Sequence, residues 1–323
     1  MAIQEKIDDI LIIGGGPVGL YGAYVAGLHR FKVRIVERLE RLGGQAEYLF
    51  PDKPVYDVGG IPAITGRQLV EQLKRQAYQS SFLEVSLGEA ALRLERQPDL
   101  WVLDTTKGRH YARCVIITAG IGEFRPRKLD NPRVDGWEGQ GVHYVVDRLS
   151  VFQGRRVLVV GGGNSAADWA MALIPLARSV TMIHRRSEFQ CHADSLAKLR
   201  AAPEVTMIPN ATLEGCDGVG HVASATIRRL DLDREETLPV EEVIVAIGLI
   251  PEPGPLAEWG LIMVGPEIQV DARMATNLPM VYAAGDIVHY PGKVKLMATG
   301  FGEVATAVES ARQALKAMGI APH

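Results

Sequence analysis

Two glycine-rich motifs in this chain of 323 residues constrain its fold more than any other feature. They are Gly14-Gly15-Gly16-Pro17-Val18-Gly19 and Gly161-Gly162-Gly163-Asn164-Ser165-Ala166, and each follows a short apolar run. Small residues at the first, third and sixth positions let a strand turn tightly into a helix. They also let a pyrophosphate approach the backbone, where the helix N-terminus offers free N–H groups and partial positive charge. The chain therefore predicts two βαβ units, each able to bind a dinucleotide.

The two motifs differ in the charge that ends the second strand of each unit. Glu37 lies 18 residues after the last small residue of the first motif, and His184-Arg185-Arg186 begins 18 residues after that of the second. A carboxylate at this position accepts hydrogen bonds from ribose hydroxyls and repels a 2′-phosphate, whereas arginines attract that phosphate. The first site is therefore predicted to bind FAD or NAD, and the second NADPH. A purely structural strand–helix turn is the alternative for either motif taken alone.

Length and charge set further bounds. The chain is long enough for two domains, and 35 basic against 38 acidic residues give a net charge of −3, so nothing global indicates a nucleic-acid partner. The uncharged stretch 10–28 has the length of a membrane span, but its glycines and the preceding Asp8 and Asp9 favour the nucleotide motif. We expect a soluble, cytoplasmic protein that does not associate with a membrane.

The chain has three cysteines, Cys114, Cys191 and Cys216. A sparse, odd number without a secretory signal is typical of a reducing compartment. No two of them form a Cys-x-x-Cys pair, and disulfide exchange needs two neighbouring sulfurs. No grouping of Cys and His has metal-ligand spacing, so the sequence predicts neither disulfide exchange nor a metal site.

The order of apolar runs predicts an α/β fold in which one domain interrupts another. Thr65 is predicted to cap a helix that runs to Ala77, and a meander of strands is predicted near 205–208, 224–230 and 237–240. The first unit lacks its last strand and helix until after the proline-rich stretch at 251–255. Residues 1–123 and 251–323 are therefore predicted to form one discontinuous domain, and residues 124–250 the inserted one.

Further motifs resemble those of a known family. They are Gly43-Gly44-Gln45, Phe50-Pro51-Asp52-Lys53, Tyr56-Asp57-Val58-Gly59-Gly60, Thr118-Ala119-Gly120, His184-Arg185-Arg186-Ser187-Glu188-Phe189, Tyr282-Ala283-Ala284-Gly285-Asp286 and Gly300-Phe301-Gly302-Glu303. With the glycine motifs they cover nearly the whole chain, which resembles the flavoproteins with two dinucleotide-binding domains. Within them it is most similar to ferredoxin–NADP reductases of the thioredoxin-reductase-like type. The resemblance implies two Rossmann-like domains, with the NADP domain inserted into the FAD domain, and a homodimer.

The motifs and the resemblance together give two sets of expected cofactor contacts. The FAD set is Gly14, Gly16, Pro17, Gly19, Glu37, Gln45, Phe50, Ala91, Phe124, Asp286 and His323. The NADP set is Gly161, Gly163, Asn164, Ser165, Ala166, His184, Arg185 and Arg186. The resemblance implies that Phe50 stacks on the flavin and that His323 covers its outer face. The alternatives are a core aromatic for Phe50, hinge packing for Phe124 and a disordered terminus for His323. Gln190 stands where the resemblance implies a third arginine, which weakens the preference for NADP.

Hydride transfer between NADPH and a flavin needs no side-chain acid, base or nucleophile, so no catalytic side chain is predicted. The predicted reaction transfers electrons between NADPH and ferredoxin or flavodoxin through FAD. The alternatives are a general NADPH diaphorase that reduces flavins or quinones and, from another class, a non-catalytic redox sensor that binds FAD and NADP. Acidic electron-transfer partners favour basic docking residues, and a solvated charged surface is the alternative. The candidates are Arg125, Arg127, Lys128, Lys293 and Lys295.

Overall fold

The computed structural model of the chain describes residues 6–49, 51–120, 122–146, 148–252 and 254–323, and only the backbone of 123–125 and 251–252. These residues form two compact units. The first unit contains residues 6–48, Val55–Phe124 and Pro251–His323, and the second contains Leu49–Pro54 and Arg125–Ile250. The segment Leu49–Pro54 groups with the second unit, where Lys53 Nζ lies 2.8 Å from Asp168 Oδ2.

The first part of the chain alternates strands and helices before it reaches the second unit. Its elements are β1 (Ile7–Ile13), α1 (Pro17–Leu28), β2 (Val33–Val36), α2 (Gly44–Tyr48), β3 (Pro54–Val55), β4 (Ile64–Thr65), α3 (Gly66–Ala77), β5 (Leu83–Ser86), β6 (Ala91–Arg96), β7 (Trp101–Thr105) and β8 (Arg109–Ile117).

The middle part repeats this alternation and adds a small antiparallel sheet. Its elements are β9 (Glu123–Pro126), α4 (Pro132–Asp135), β10 (Val142–His143), a 3₁₀ turn (Leu149–Phe152), β11 (Arg156–Val160), α5 (Asn164–Leu173), β12 (Ser179–Ile183), α6 (Ala193–Ala201), β13 (Val205–Ile208), β14 (Ala211–Gly218), β15 (Val222–Arg229), β16 (Arg234–Leu238), β17 (Glu242–Val245) and β18 (Leu249–Glu252).

The last part completes the first unit. Its elements are a 3₁₀ turn (Gly254–Glu258), β19 (Met263–Val264), β20 (Glu267–Gln269), β21 (Val281–Ala283), β22 (Val288–His289) and the long helix α7 (Met297–Ala317). The strand β21 pairs with β8 although more than 160 residues separate them in sequence. This pairing explains how a strand that follows the second unit belongs to the sheet of the first.

The sheet of the first unit has the order β5-β2-β1-β8-β7-β6, with β21 also paired to β8. The pairs β5·β2, β2·β1, β1·β8 and β8·β21 are parallel, whereas β6·β7 and β7·β8 are antiparallel. Parallel strands buried on both faces read as continuous apolar runs, as β1 does after Asp9. The helix α1 buries small residues, among them Gly22, Ala23 and Ala26, and a Cβ on Gly22 would lie 2.6 Å from Val304 Cγ2 of α7 and 3.6 Å from Ile12 Cδ1 of β1.

The sheet of the second unit has the order β10-β17-β11-β12-β13, and all four of its pairings are parallel. A separate antiparallel sheet follows, with the order β14-β15-β16. Two apolar clusters cover the parallel sheet, one built around Val134, Leu213 and Ile227 and the other around Phe152, Trp169 and Leu173. The predicted α/β fold, with one Rossmann-like unit inserted into another, is confirmed.

One expectation about secondary structure changed, and one is confirmed. The strand predicted in the meander at 205–208 pairs in parallel with β12 instead, because it extends the edge of the main sheet. The capped helix is confirmed: Thr65 Oγ1 accepts from Gln68 N, and Gln68 Oε1 accepts from Thr65 N. No helix in the described part of the chain is long and apolar enough to cross a membrane.

Candidate dinucleotide-binding sites

The first glycine turn connects β1 to α1 and passes directly beside the end of β8. Gly14 has φ +107°, and a Cβ at this position would lie 2.6 Å from the carbonyl oxygen of Thr118. The hydroxyl of Thr118 donates to the carbonyl oxygen of Gly14 at 2.8 Å. Both the positive φ and the close approach exclude a side chain here, so only glycine fits this position.

The N-terminus of α1 presents its backbone N–H groups without a side-chain cap. Gly16 is the N-cap residue, Pro17 opens the helix, and the first turn has no acidic residue. A Cβ on Gly16 would have only Gly44 Cα, at 3.9 Å, within contact distance, whereas one on Gly19 would lie 2.0 Å from Gly14 O. Free N–H groups, partial positive charge and open space in front of Gly16 together fit a pyrophosphate.

Glu37 ends β2 beneath this turn. Its side chain is 7% exposed and accepts hydrogen bonds from Gly15 N at 2.6 Å and from Leu39 N at 2.8 Å. Burial raises the pKa of this carboxyl, and the backbone N–H groups partly oppose the rise. Each carboxylate oxygen accepts one backbone bond and keeps a further lone pair, which a ribose hydroxyl fits. Ala91 lies nearby in sequence, two residues after Glu89, whose N–H donates to Glu37 O.

Gln45 and Asp286 belong to segments that lie against the same turn. The amide nitrogen of Gln45 would be 3.5 Å from a Cβ on Gly120, and the adjacent Gly44 is the residue that faces Gly16. Asp286 follows a turn whose Gly285 packs against Val18 of α1. Burial raises the pKa of the Asp286 carboxyl, while Lys295 and Lys293 act in the opposite direction.

The remaining three predicted FAD contacts are Phe50, Phe124 and His323. Phe50 and the side chain of Phe124 lie outside the described residues. His323 lies 3.2 Å from Asp9 Oδ2, and its ring centroid is 6.0 Å from that of Phe82. Because Asp9 lies near the beginning of β1, whereas the glycine turn follows its end, His323 is distant from the turn of its own chain.

The second glycine turn repeats the geometry of the first. Gly161 has φ +148°, and a Cβ would lie 2.3 Å from the carbonyl oxygen of Ala246 and 3.0 Å from Ala166 Cβ. Gly163 is the N-cap of α5, and a Cβ at Gly163 would contact nothing within 4 Å. The first turn of α5, which contains Ser165, has no acid and no side-chain cap. This helix end therefore also fits a pyrophosphate.

His184 occupies the position that Glu37 has in the first unit. A Cβ on Gly162 would lie 2.3 Å from His184 Cγ, so the ring packs directly on the second glycine. Burial lowers the pKa of His184, and the guanidinium groups of Arg186 and Arg185 lower it further. Its Nε2 is buried without a hydrogen-bond partner, and its ring is tilted against Phe189 at a centroid distance of 5.6 Å. The ring of His184 is therefore neutral and forms one side of the site.

The two arginines after His184 are exposed. Arg186 Nη1 donates to Gln190 Oε1 at 2.9 Å, and Gln190 N donates to Gly162 O at 2.7 Å. Asn164 Oδ1 accepts from His192 N at 2.9 Å. The loop 187–192 is thus held against the glycine turn by Gln190 and Asn164. The structure brings the whole predicted NADP set together at this end of the sheet.

The predicted docking residues do not form one exposed set. Lys293 is an error in that prediction, because its side chain is only 6% exposed and its ammonium is paired with Glu303. Lys128 is paired with Glu138 and Lys295 with Glu267, each with about half of its side chain exposed. Arg127 is exposed, and the side chain of Arg125 lies outside the described residues.

The three cysteines are free and poorly suited to attack a disulfide. Burial raises the pKa of Cys114 to about 12 and that of Cys216 to about 11, and it also raises the pKa of Cys191. The thiolate is the nucleophile in thiol–disulfide exchange, so these shifts disfavour the reaction. In the described part of the chain, no group of three or more His, Cys, Asp or Glu residues is arranged to hold a metal ion.

Comparison with known proteins places the chain in a family. The pyridine nucleotide-disulphide oxidoreductase family matches residues 8–314, and the chain belongs to this family. Over 313 residues it is 44% identical to a protein of Shouchella clausii named Ferredoxin–NADP reductase 2. The aligned region covers 97% of this chain and 94% of that protein. A protein of Halalkalibacterium halodurans named Ferredoxin–NADP reductase is 42% identical over 313 residues, with the same coverage. The resemblance to this group is confirmed.

A solved structure supports the fold. The crystal structure of T. acidophilum thioredoxin reductase matches this chain with a TM-score of 0.84 and 25% sequence identity. The match covers 96% of this chain and 99% of the thioredoxin reductase chain. This similarity concerns the fold.

Three supporting residues were not predicted for the sites. Thr118 fixes the first turn, Gly44 leaves the space before Gly16 open, and Glu303 accepts from Gly285 N at 2.8 Å. Glu303 had a sequence signal, since it is an acid among small and apolar residues at 298–308 of the last helix. Thr118 and Gly44 also lie within motifs that carry the resemblance, but their roles could not be assigned from the sequence, because those roles depend on contacts between distant segments.

Proposed function

We propose that this chain binds FAD at the first glycine turn and NADP(H) at the second, and that it transfers electrons between NADPH and ferredoxin. Membership of the pyridine nucleotide-disulphide oxidoreductase family and the names of its relatives support the reaction. The observation that distinguishes the two cofactors is the repeated turn with a buried carboxylate at one strand end and two exposed arginines at the other.

Each unit then has one cofactor. Residues 1–123 and 251–323 are the FAD domain, and residues 124–250 are the NADP domain. The N-terminus of α1 binds the FAD pyrophosphate, Glu37 the adenosine ribose, and Gln45 and Asp286 the flavin side of the molecule. The N-terminus of α5 binds the NADP pyrophosphate, and Arg185 and Arg186 bind the 2′-phosphate.

Bound FAD supplies the hydride and single-electron chemistry. The chain's own residues bind and orient, and none of them needs to move a proton. His184 is kept neutral and so adds no third positive charge beside Arg185 and Arg186. The raised pKa values of the three thiols support an enzyme that does not reduce disulfides.

The partner is an acidic one-electron protein, ferredoxin or flavodoxin. Among the predicted docking residues, Arg127 is exposed, and Lys128 and Lys295 are half exposed in ion pairs. Exposed charges are screened beyond about 8 Å at physiological ionic strength, so docking should weaken as salt rises. The unpaired cysteines support a reducing, cytoplasmic setting. The homodimer rests on the family resemblance.

The test is NADPH-dependent cytochrome reduction with and without added ferredoxin, at saturating NADPH. We expect fast reduction only with ferredoxin, and a rate that falls as NaCl rises. Reduction of an uncharged quinone, measured in parallel, should change little with salt. Quinone turnover without any ferredoxin-dependent rate would favour the diaphorase alternative. Failure to reduce ferricyanide with NADPH would favour the non-catalytic sensor.

A further inference from the structure

A buried ion pair in the first unit has no role in the function proposed above. Glu303 of α7 and Lys293 have side chains that are 4% and 6% exposed, and Glu303 Oε1 lies 2.5 Å from Lys293 Nζ. The hydroxyl of Tyr290 donates to the same oxygen at 2.6 Å. Burial and this carboxylate raise the pKa of Tyr290 to about 12, so it remains a donor. Burying two charges is costly unless they are paired and hydrogen-bonded, and this pair is both.

The other carboxylate oxygen of Glu303 reaches the segment that contains Asp286. Glu303 Oε2 accepts from Gly285 N at 2.8 Å, and this bond is buried. Close packing restrains the same turn, because a Cβ on Gly300 of α7 would lie 2.7 Å from Val18 Cγ2 and 3.5 Å from Gly285 Cα. One acid therefore connects the last helix to the backbone of the residue just before Asp286.

We propose that Glu303 is a positioning residue for Asp286, and that Lys293 keeps the charge of Glu303 compensated in the core. The acid fixes the Gly285 amide, and the fixed turn aims the Asp286 carboxylate at the cofactor. This inference rests on the proposed binding of FAD at the first glycine turn. It assigns the affinity for FAD partly to a residue that does not contact FAD.

Apolar side chains in place of Lys293 and Glu303 would fill the same volume without the cost of two buried charges. What they would not supply is an acceptor for the Gly285 amide, and a buried N–H without a partner is costly. The acceptor therefore distinguishes a positioning role from a packing role. Glutamine retains this acceptor without charge, whereas methionine has a similar length and lacks it.

The experiment compares two double variants, Lys293→Met/Glu303→Gln and Lys293→Met/Glu303→Met. Both remove the buried charges, and they differ in whether the side chain at 303 can accept from Gly285 N and hydrogen-bond to the Tyr290 hydroxyl. The dissociation constant of FAD is measured by titrating FAD into each apoprotein and following flavin fluorescence. We expect the glutamine variant to bind within about threefold of wild type and the methionine variant about tenfold more weakly or worse.

Two further measurements separate positioning from folding. In an Asp286→Ala background the glutamine and methionine variants should bind FAD equally, because a residue that acts through Asp286 has no effect once Asp286 is removed. Hydrogen exchange of the Gly285 amide should be about tenfold faster in the methionine variant. Glu309→Gln, which removes an exposed ion pair with Arg312 on the same helix, is the control and should change neither value.

Equal FAD affinities and equal Gly285 exchange in the two double variants would overturn the inference. The melting temperature of each apoprotein is the folding control for every variant. If the methionine variant fails this control, Lys293→Met/Glu303→Leu repeats the comparison. A wild-type protein that binds no FAD would reject the proposed function, and the Gly285 exchange rates would then decide alone whether Glu303 fixes the turn.

Discussion

The two glycine turns of this molecule have the same backbone geometry, but different residues follow the neighbouring strand. In each turn the first glycine lies close to a carbonyl oxygen just past the end of a neighbouring strand, that of Thr118 after β8 or that of Ala246 after β17. In each, the residue 18 positions after the motif contacts the second glycine. Glu37 does so through a hydrogen bond from Gly15 N, and His184 through its ring. The shared backbone explains binding of a dinucleotide, and the strand ends explain which one.

The charged groups at the two strand ends also differ in how deeply they are buried. Burial acts against charge at both positions, since it raises the pKa of Glu37 and lowers that of His184. The negative charge of the first site is therefore held inside by backbone N–H groups. The positive charge of the second site lies on the exposed Arg185 and Arg186. An internal acid suits uncharged ribose hydroxyls, and an exposed cation suits a phosphate.

The largest expected effect comes from the first glycine of each turn. Gly14→Ala should abolish FAD binding and leave NADP⁺ binding measurable, and Gly161→Ala should do the reverse. A positive φ costs a non-glycine residue about 1–3 kcal/mol, and overlap with Thr118 O or Ala246 O adds to this. Flavin absorbance and NADP⁺ titration of both variants are the measurements. Unchanged FAD affinity in Gly14→Ala would show that this turn does not form the site.

Substitution of the third glycine of each turn should have only a small effect on stability, but it should still weaken cofactor binding strongly. Gly16 and Gly163 have ordinary φ values and open space in front of them, so Gly16→Ala and Gly163→Ala should lower the free energy of unfolding by about 1 kcal/mol or less. The added methyl group enters the space assigned to the pyrophosphate. We expect at least tenfold weaker binding of FAD to the first variant and of NADP⁺ to the second.

These variants test the comparison because each should weaken binding of its cofactor strongly while lowering the stability of the protein only slightly. Melting temperatures of the apoproteins report the first quantity, and titrations report the second. A large loss of stability together with unchanged affinity would mean that the space is needed by the protein and not by a ligand.

The smallest effect concerns pH. The folded pKa of His184 lies below its ordinary value of 6.5, so near that value the unfolded chain binds the proton more readily. Stability from this site is therefore present above pH 6.5 and is lost as pH falls through 6.5 towards the folded pKa. Glu37 has the opposite sign, since its pKa is raised and its contribution falls as pH rises from 4.5.

His184→Asn should flatten the fall in melting temperature between pH 7.5 and pH 5.5. The matched variant, Glu37→Gln, should leave that slope in place and act at lower pH. Melting temperature against pH for wild type and both variants is the measurement. Identical slopes for wild type and His184→Asn would show that the ring is not held neutral by the fold.

The backbone of both sites could be predicted from the sequence because it depends on short local patterns. The motif at 14–19 and the acid at 37 define a turn, a helix and a second strand within 25 residues. The capping of α3 by Thr65 and Gln68 was predictable for the same reason. Local hydrogen bonds and φ values need no knowledge of distant segments.

The remaining features depend on contacts between segments far apart in sequence. The burial of Lys293 could not be predicted although its partner Glu303 is only ten residues away, because it depends on the packing of α7 against Val18 of the distant helix α1. The parallel pairing of β13 required knowledge of the sheet edge, since its own residues also suit an antiparallel strand. The position of His323 depends on Asp9 and Phe82, which are more than 240 residues away.

The most direct test of the account is the choice between NADPH and NADH in Arg185→Ala/Arg186→Ala. A charge-assisted contact contributes about 1.5–3 kcal/mol, so kcat/KM for NADPH should fall about 10- to 100-fold or more, with ferricyanide as acceptor. The value for NADH should change by less than about twofold, and FAD should remain bound. Arg228→Ala, an exposed arginine of the same unit, controls for the change in net charge. Equal losses for NADPH and NADH, or no loss for either, would contradict the assignment of the second turn to NADP.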